Sequence, residues 1–185
     1  MICTIELILS YAAKGWPTIP IEPRGKKPLI PWADFQQRVP TTEEVQAWFE
    51  KWPDANIGIV TGKISQLIVV DVDSEQAQAT IDKLLPDSLV TPVAKTAKGK
   101  HYYFVRPPGG LQNRVRVDGV ALDVRCDSGY VVAPPSVHKS GLAYEWIVSP
   151  NDAALAELPQ SIIDLIEKDS KAQLVATPAL SVMST

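Results

Sequence analysis

Gln66-Leu67-Ile68-Val69-Val70-Asp71-Val72-Asp73 is the stretch on which the reading of this chain turns. Four apolar residues in a row, bounded by polar ones, read as a strand covered on both faces. Side chains alternate along a strand, so Asp71 and Asp73 leave it on the same side. Two carboxylates on one face repel each other. They are tolerated if solvated, if held by helix N-termini, or if they share a divalent cation. Mg²⁺ and Mn²⁺ are hard cations that take such oxygen ligands and bridge them to phosphates. A plainer reading, a strand-end Asp followed by a helix cap, stays open at this point.

Outward from this strand, the chain reads as helices first and strands later. Thr4 to Gly15 carries apolar residues at helical spacing. Trp16 to Pro23 is extended, with prolines that bar it from the centre of a sheet. Thr41 to Pro53 has a capping Thr, two Glu in its first turn and an apolar face of Val45, Trp48, Phe49 and Trp52, read as core. Asn56 to Gly62 is a short strand and turn. Ser74 caps a helix that stops near Pro86. Strands are expected over 90–95, 101–106, 120–124, 129–133 and 143–148, and a last amphipathic helix over Leu158 to Asp169. Segregated helices and strands predict an α+β fold. Residues 1–169 read as one domain and 170–185 as a flexible tail or the start of a linker.

Composition narrows the class. The chain has 185 residues, 45% hydrophobic and 21% charged, with a formal net charge of −3. That suits one globular domain and excludes wholesale disorder. No run of ~18 apolar residues is present to cross a membrane. The N-terminus lacks the basic region of a signal peptide, and Cys3 and Cys126 give no disulfide framework, so the expectation is a cytoplasmic protein. The net charge hides an uneven distribution. Between Lys95 and Arg116 lie Lys95, Lys98, Lys100, Arg106, Arg114 and Arg116 with no acid, interleaved with Tyr102, Tyr103 and Phe104. This is either a nucleic-acid track or a solvated face over core aromatics.

Three further features bear on chemistry. Asp123 lies in Val120-Ala-Leu-Asp-Val-Arg, where Leu122 and Val124 point one way and Asp123 the other. Were that strand to neighbour the first, three carboxylates would converge; the alternative is a surface ion pair with Arg125 or Arg116. His101 follows Thr96-Ala-Lys-Gly-Lys100, where a glycine between lysines suits close approach to phosphate. His138 sits in the donor-rich loop Pro135-Ser-Val-His-Lys-Ser-Gly.

Taken together, Gly25-Lys-Lys-Pro, Trp52-Pro-Asp-Ala-Asn-Ile-Gly-Ile-Val-Thr-Gly, Leu67-Ile-Val-Val-Asp-Val-Asp, Thr96-x-x-Gly-x-His-Tyr-Tyr-Phe and Leu122-Asp-Val-Arg-x-Asp-x-Gly-Tyr-Val-Val-Ala-Pro-Pro-Ser-Val-His resemble, in order, the bifunctional DNA primase/polymerase domain of the archaeo-eukaryotic primase superfamily. The resemblance implies an RRM-like, mostly antiparallel sheet with flanking helices beside a small α/β unit. It implies template-directed nucleotidyl transfer with Mg²⁺ or Mn²⁺, in plasmids, phages or integrated elements. Asp71, Asp73 and Asp123 match the family's metal-binding carboxylates, and His101 its phosphate-contacting histidine. Arg125, Ser136 and His138 fall at motif positions near the nucleotide, and Lys100 beside the motif histidine adds a charge. Asp73 stands where Glu is frequent, and Cys126 and Ser128 where glycine is more usual. The implied partners are a single-stranded DNA template, NTP or dNTP, and a helicase domain or protein, since relatives often carry one downstream; no membrane is implied. A non-catalytic DNA- or nucleotide-binding initiator module is the competing reading.

Overall fold

The computed structural model of the chain describes residues 4–176. Two sheets organise it. The larger has the strand order β6 (Leu122–Arg125), β3 (Leu67–Val72), β5 (Lys100–Val105), β4 (Val93–Lys95), β8 (Glu145–Val148). All those pairings are antiparallel; a two-residue strand, β9 (Ala156–Glu157), adds to β5 in parallel. The smaller sheet is antiparallel, β1 (Thr18–Ile21), β2 (Asn56–Val60), β7 (Tyr130–Ala133). Pro20 lies in β1 at the edge of that sheet, where its missing N–H breaks no ladder.

β3 is flanked on both sides and covered on both faces, as its apolar run requires. Leu67, Ile68, Val69, Val70 and Val72 are fully buried. Burial of each such side chain contributes on the order of 1.5–3 kcal/mol. Alternation divides them between two cores. Ile68, Val70 and Val72, with Phe104, Leu122 and Val124, pack on α3 (Glu75–Leu84) and α4 (Gln160–Ala176) through Ala77, Ile81, Ile162 and Ile166. Leu67 and Val69, with Ala94 and Tyr103, face Ile57, Ile59, Val131 and Ala133 of the smaller sheet. Ile8 and Tyr11 of α1 (Thr4–Ala13) and Val45 and Phe49 of α2 (Thr42–Lys51) close that second core. The fold is therefore α+β, a mostly antiparallel sheet backed by two helices and joined to a smaller α/β unit.

Two expectations need adjustment. The last helix does not end near Asp169 but continues to Ala176. Ser170 ties back to it through a hydrogen bond from its hydroxyl to the Ile166 carbonyl, and Lys171, Ala172, Gln173 and Leu174 are good helix formers. The rest of the expected tail, 177–185, lies outside the described residues. β9 gave no sequence signal, because two residues carry no periodicity. Among the described residues, no helix is long and apolar enough to cross a membrane.

The entry to α2 is a capping box. Thr41 Oγ1 accepts from the Glu44 N–H, and Glu44 Oε2 accepts from the Thr41 N–H. Arg38 adds two hydrogen bonds of 2.7 Å to the Glu44 carboxylate. With Arg38 and the Thr41 N–H as donors, the Glu44 carboxyl is held down at about 2. A carboxyl lowered by folding stabilises above its unfolded value and loses that contribution as pH falls toward 2. Replacing Thr41 by Ala should cost about 1 kcal/mol in urea denaturation at neutral pH. Replacing Glu44 by Gln should flatten the part of the stability profile between roughly pH 4.5 and 2.

Candidate functional site

The register of the larger sheet assembles the site. Asp71 on β3 is directly opposite Asp123 on β6 and directly opposite His101 on β5. Residues opposite one another in an antiparallel ladder share a face. Asp123, Asp71 and His101 therefore form one row across three strands, on the face toward the smaller sheet. Asp73 follows just beyond the end of β3, its N–H bonded to the Ala121 carbonyl beside β6. Asp123 and Arg125 turn away from the helix-backed core for the reason alternation gave: Leu122 and Val124 go into it.

The acids differ in environment. His101 Nε2 is 3.3 Å from Asp71 Oδ1, with the two side chains only 6% and 13% exposed. This is ion-pair proximity without hydrogen-bond geometry, and Asp71 Oδ1 and His101 Nδ1 are buried without a hydrogen-bond partner. Burial pushes the Asp71 carboxyl up, but His101, Lys26 and Arg125 outweigh it and hold the carboxyl below its ordinary value. Asp73 goes the other way: burial and then the negative charge of Asp71 raise it, against Lys26, His101 and Lys98. Each oxygen of Asp123 has one partner. Its Oδ1 accepts from the Arg116 N–H at 2.9 Å and its Oδ2 from Arg125 Nη2 at 2.8 Å. The ion pair anticipated as an alternative thus exists, and it coexists with placement beside Asp71.

A cleft opens on either side of Asp71 and His101. One lobe, about 220 Å³, is walled by Arg125, Asn113, Ser128 and Tyr130 to Val132. The other, about 230 Å³, is ringed by Arg24, Lys26, Lys98, His138 and Lys139, with Asp73 and Thr96 at its floor. Lys26, Asp71, His101 and Tyr144 border both. Tyr144 is 5% exposed, its ring centroid 6.0 Å from that of His101. Burial, with Asp71 and Asp73 nearby, pushes its hydroxyl up to about 12, so it stays a neutral donor at neutral pH.

The sequence-based candidates fare differently. Asp71, Asp73, His101, Arg125 and His138 all line the cleft. Lys100 does not: it pairs opposite Val72, whose side chain belongs to the helix-backed core, so it sits on the other face of β5. Ser136 is buried, and its hydroxyl accepts from the Ile57 N–H at 2.8 Å and lies 3.3 Å from the Ile57 carbonyl. It pins a loop to β2 rather than facing the cleft. Gly99 comes close to a backbone, not a phosphate, since a Cβ there would lie 1.8 Å from the Val72 carbonyl oxygen. Tyr102, Tyr103 and Phe104 are core residues, and Arg106 is clamped to Asp127 by two 2.7 Å hydrogen bonds, so the basic run is no continuous track. Lys98, which the sequence marks only as part of the basic run, lines the cleft, and so do Arg24, Lys26, Lys139 and Tyr144, which are not among the sequence-based site residues. The Arg24-Gly-Lys-Lys loop was legible as basic, but nothing local placed it over the carboxylates, and Tyr144 carries no local signal at all.

The donor set suits a hard divalent cation at the Asp71–Asp73 pair. It offers carboxylate oxygens only, one of them buried and without a partner, and a raised Asp73 that a cation would relieve. Asp123 adjoins them, and each of its oxygens keeps a second lone pair. Among the described residues, no three His, Cys, Asp or Glu side chains are already gathered closely enough to enclose a metal ion.

The family model described as bifunctional DNA primase/polymerase, N-terminal, matches residues 8–161, well over half of the chain. No curated protein matches.

Gly99 supplies the test of this assembly. Replacing it by Ala forces the Thr96–Lys100 turn away from the backbone of Val72, between Asp71 and Asp73. Overpacking of this kind costs typically 1–3 kcal/mol, so the melting temperature should fall by roughly 2–4 °C per kcal/mol. Calorimetry would check the shift.

Proposed function

Because the chain belongs to the bifunctional DNA primase/polymerase family, we propose that it joins nucleotides on a single-stranded DNA template, using NTP or dNTP, in the replication of a plasmid, phage or integrated element. The observation that carries this reading is the Asp123–Asp71–His101 row, of which Asp71 and His101 border both lobes of a cleft whose second lobe is ringed by basic side chains.

Asp71 and Asp73, with Asp123 beside them, would hold two Mg²⁺ or Mn²⁺ ions. Bound there, such ions lower the pKa of an attacking 3′-hydroxyl and neutralise charge on the triphosphate and the departing pyrophosphate. The chain's own residues do the rest. Arg24, Lys26, Lys98 and Lys139 receive the phosphates, and His101 Nε2 donates to one of them at the junction of the lobes. Tyr144 offers a neutral hydroxyl at the same junction. The Arg125 lobe, less crowded with cations and walled by Tyr130, Val131 and Val132, takes the nucleoside side of the reaction. The Arg116 N–H and the Arg125 guanidinium hold Asp123 aimed beside Asp71.

The Asp123–Arg125 pair is also what a nucleotide- or DNA-binding module without catalysis would show. Primer extension separates the two readings. On a primed template with Mg²⁺ or Mn²⁺, Asp71→Ala should lose roughly 10²–10³-fold or more in rate, while circular dichroism shows a folded protein. Extension at the wild-type rate by that variant would overturn the catalytic reading. Nucleotide should also raise the melting temperature in the presence of Mn²⁺, and Asp73→Ala should abolish that rise.

A further inference from the structure

Two loops bring most of the cations to the second lobe, and they are distant in sequence. The first is the Glu22–Lys27 turn, closed by hydrogen bonds from the Glu22 N–H to the Lys27 carbonyl and from the Gly25 N–H to the Glu22 carbonyl. It carries Arg24 and Lys26. The second is a hairpin closed by the Val137–Ala143 bridge and by the His138 N–H to the Leu142 carbonyl. It carries His138 and Lys139. Like charges on facing loops repel, so some neutral group must hold them together before an anion arrives.

Asn56 does this. It opens β2 and is 4% exposed. Its amide nitrogen donates to the Gly25 carbonyl at 3.3 Å and to the Val137 carbonyl at 2.9 Å, and its amide oxygen accepts from the Val137 N–H at 2.8 Å. One uncharged side chain therefore ties the tip of the first loop to the base of the second. Ser136, next in the second loop, is fixed to Ile57, next to Asn56 in β2, so the attachment is rigid on that side. Tyr130 steadies the first loop by donating from its hydroxyl to the Lys26 carbonyl at 3.0 Å.

We infer that Asn56 is a positioning residue for phosphate binding: it preorganises Lys26 on one loop and Lys139 on the other around the same lobe. Preorganisation lowers the ordering cost of binding without adding a contact to the ligand. An amide suits the task because it donates twice and accepts once while adding no charge to a lobe built for anions. The inference rests on the reading of this lobe as the triphosphate side of the site.

The experiment is a mutant cycle read by isothermal titration with inorganic tripolyphosphate, which needs neither template nor turnover. Asn56→Ser, neutral and too short to reach both carbonyls, should weaken binding roughly tenfold. Lys26→Ala should cost a similar factor in the wild-type background. It should cost almost nothing further in the Asn56→Ser background, because the ammonium is then no longer held in place. Losses that multiply in the double variant, or unchanged affinity in Asn56→Ser, would overturn the inference. Should Asn56→Ser fail to fold, Asn56→Thr, equally neutral, too short to reach both carbonyls and suited to a strand, replaces it in the same cycle. In primer extension the Asn56 variant should raise nucleotide KM and leave kcat within about twofold, as expected of a residue that touches no reacting atom. Tripolyphosphate binding that follows this cycle in a protein that never extends a primer would refute the polymerase reading and leave the role of Asn56 standing.

Discussion

The antiparallel ladder of β3 with β5 and β6 sets the positions of everything else at this site. It places Asp71 between His101 and Asp123 and makes all three project toward the smaller sheet. A slip of one residue in either pairing would send one of the three into the apolar core behind the sheet, where an unpaired charge costs several kcal/mol. The register is fixed by the other set of side chains on the same strands. Ile68, Val70 and Val72 fit against Phe104, Leu122 and Val124 under α3 and α4, and that fit leaves the acids and the histidine the opposite face.

The electrostatics follow from this arrangement. Asp71 and Asp73 are neighbours of like charge, and their environments pull them apart: one is lowered by the cations around it, the other raised by burial and by its neighbour. Lys26 and His101 act on both. Asp123 is settled separately by Arg116 and Arg125.

Several residues that look functional in the sequence work for the fold, and the division has a physical basis. Ser136 spends its hydroxyl on Ile57, Arg106 its guanidinium on Asp127, and Gly99 its missing side chain on closeness to Val72. Asn56, which the sequence marks only as part of a motif, spans two loops. Most buried hydrogen-bonding groups are satisfied within the chain, and once satisfied they are seldom free for a ligand. The cations of the cleft come instead from exposed loop tips, Arg24, Lys26, Lys98 and Lys139.

The sequence by itself determined the strand that ends in Asp71 and Asp73, the outward direction of Asp123 against Leu122 and Val124, the helix caps at Thr41 and Ser74, and the α+β order of elements. These depend on alternation and capping within a few residues, and such rules act locally. The ordered motif pieces added the family. The tertiary structure alone decided that β3 is flanked by β5 and β6, that Lys100 faces away from the cleft, that the Tyr102–Phe104 aromatics are core, and that Arg24, Lys26, Lys139 and Tyr144 meet around the acids. Strand pairing and loop convergence join residues far apart in the chain. Which pairs form depends on how two buried faces fit at once, and no local pattern encodes that.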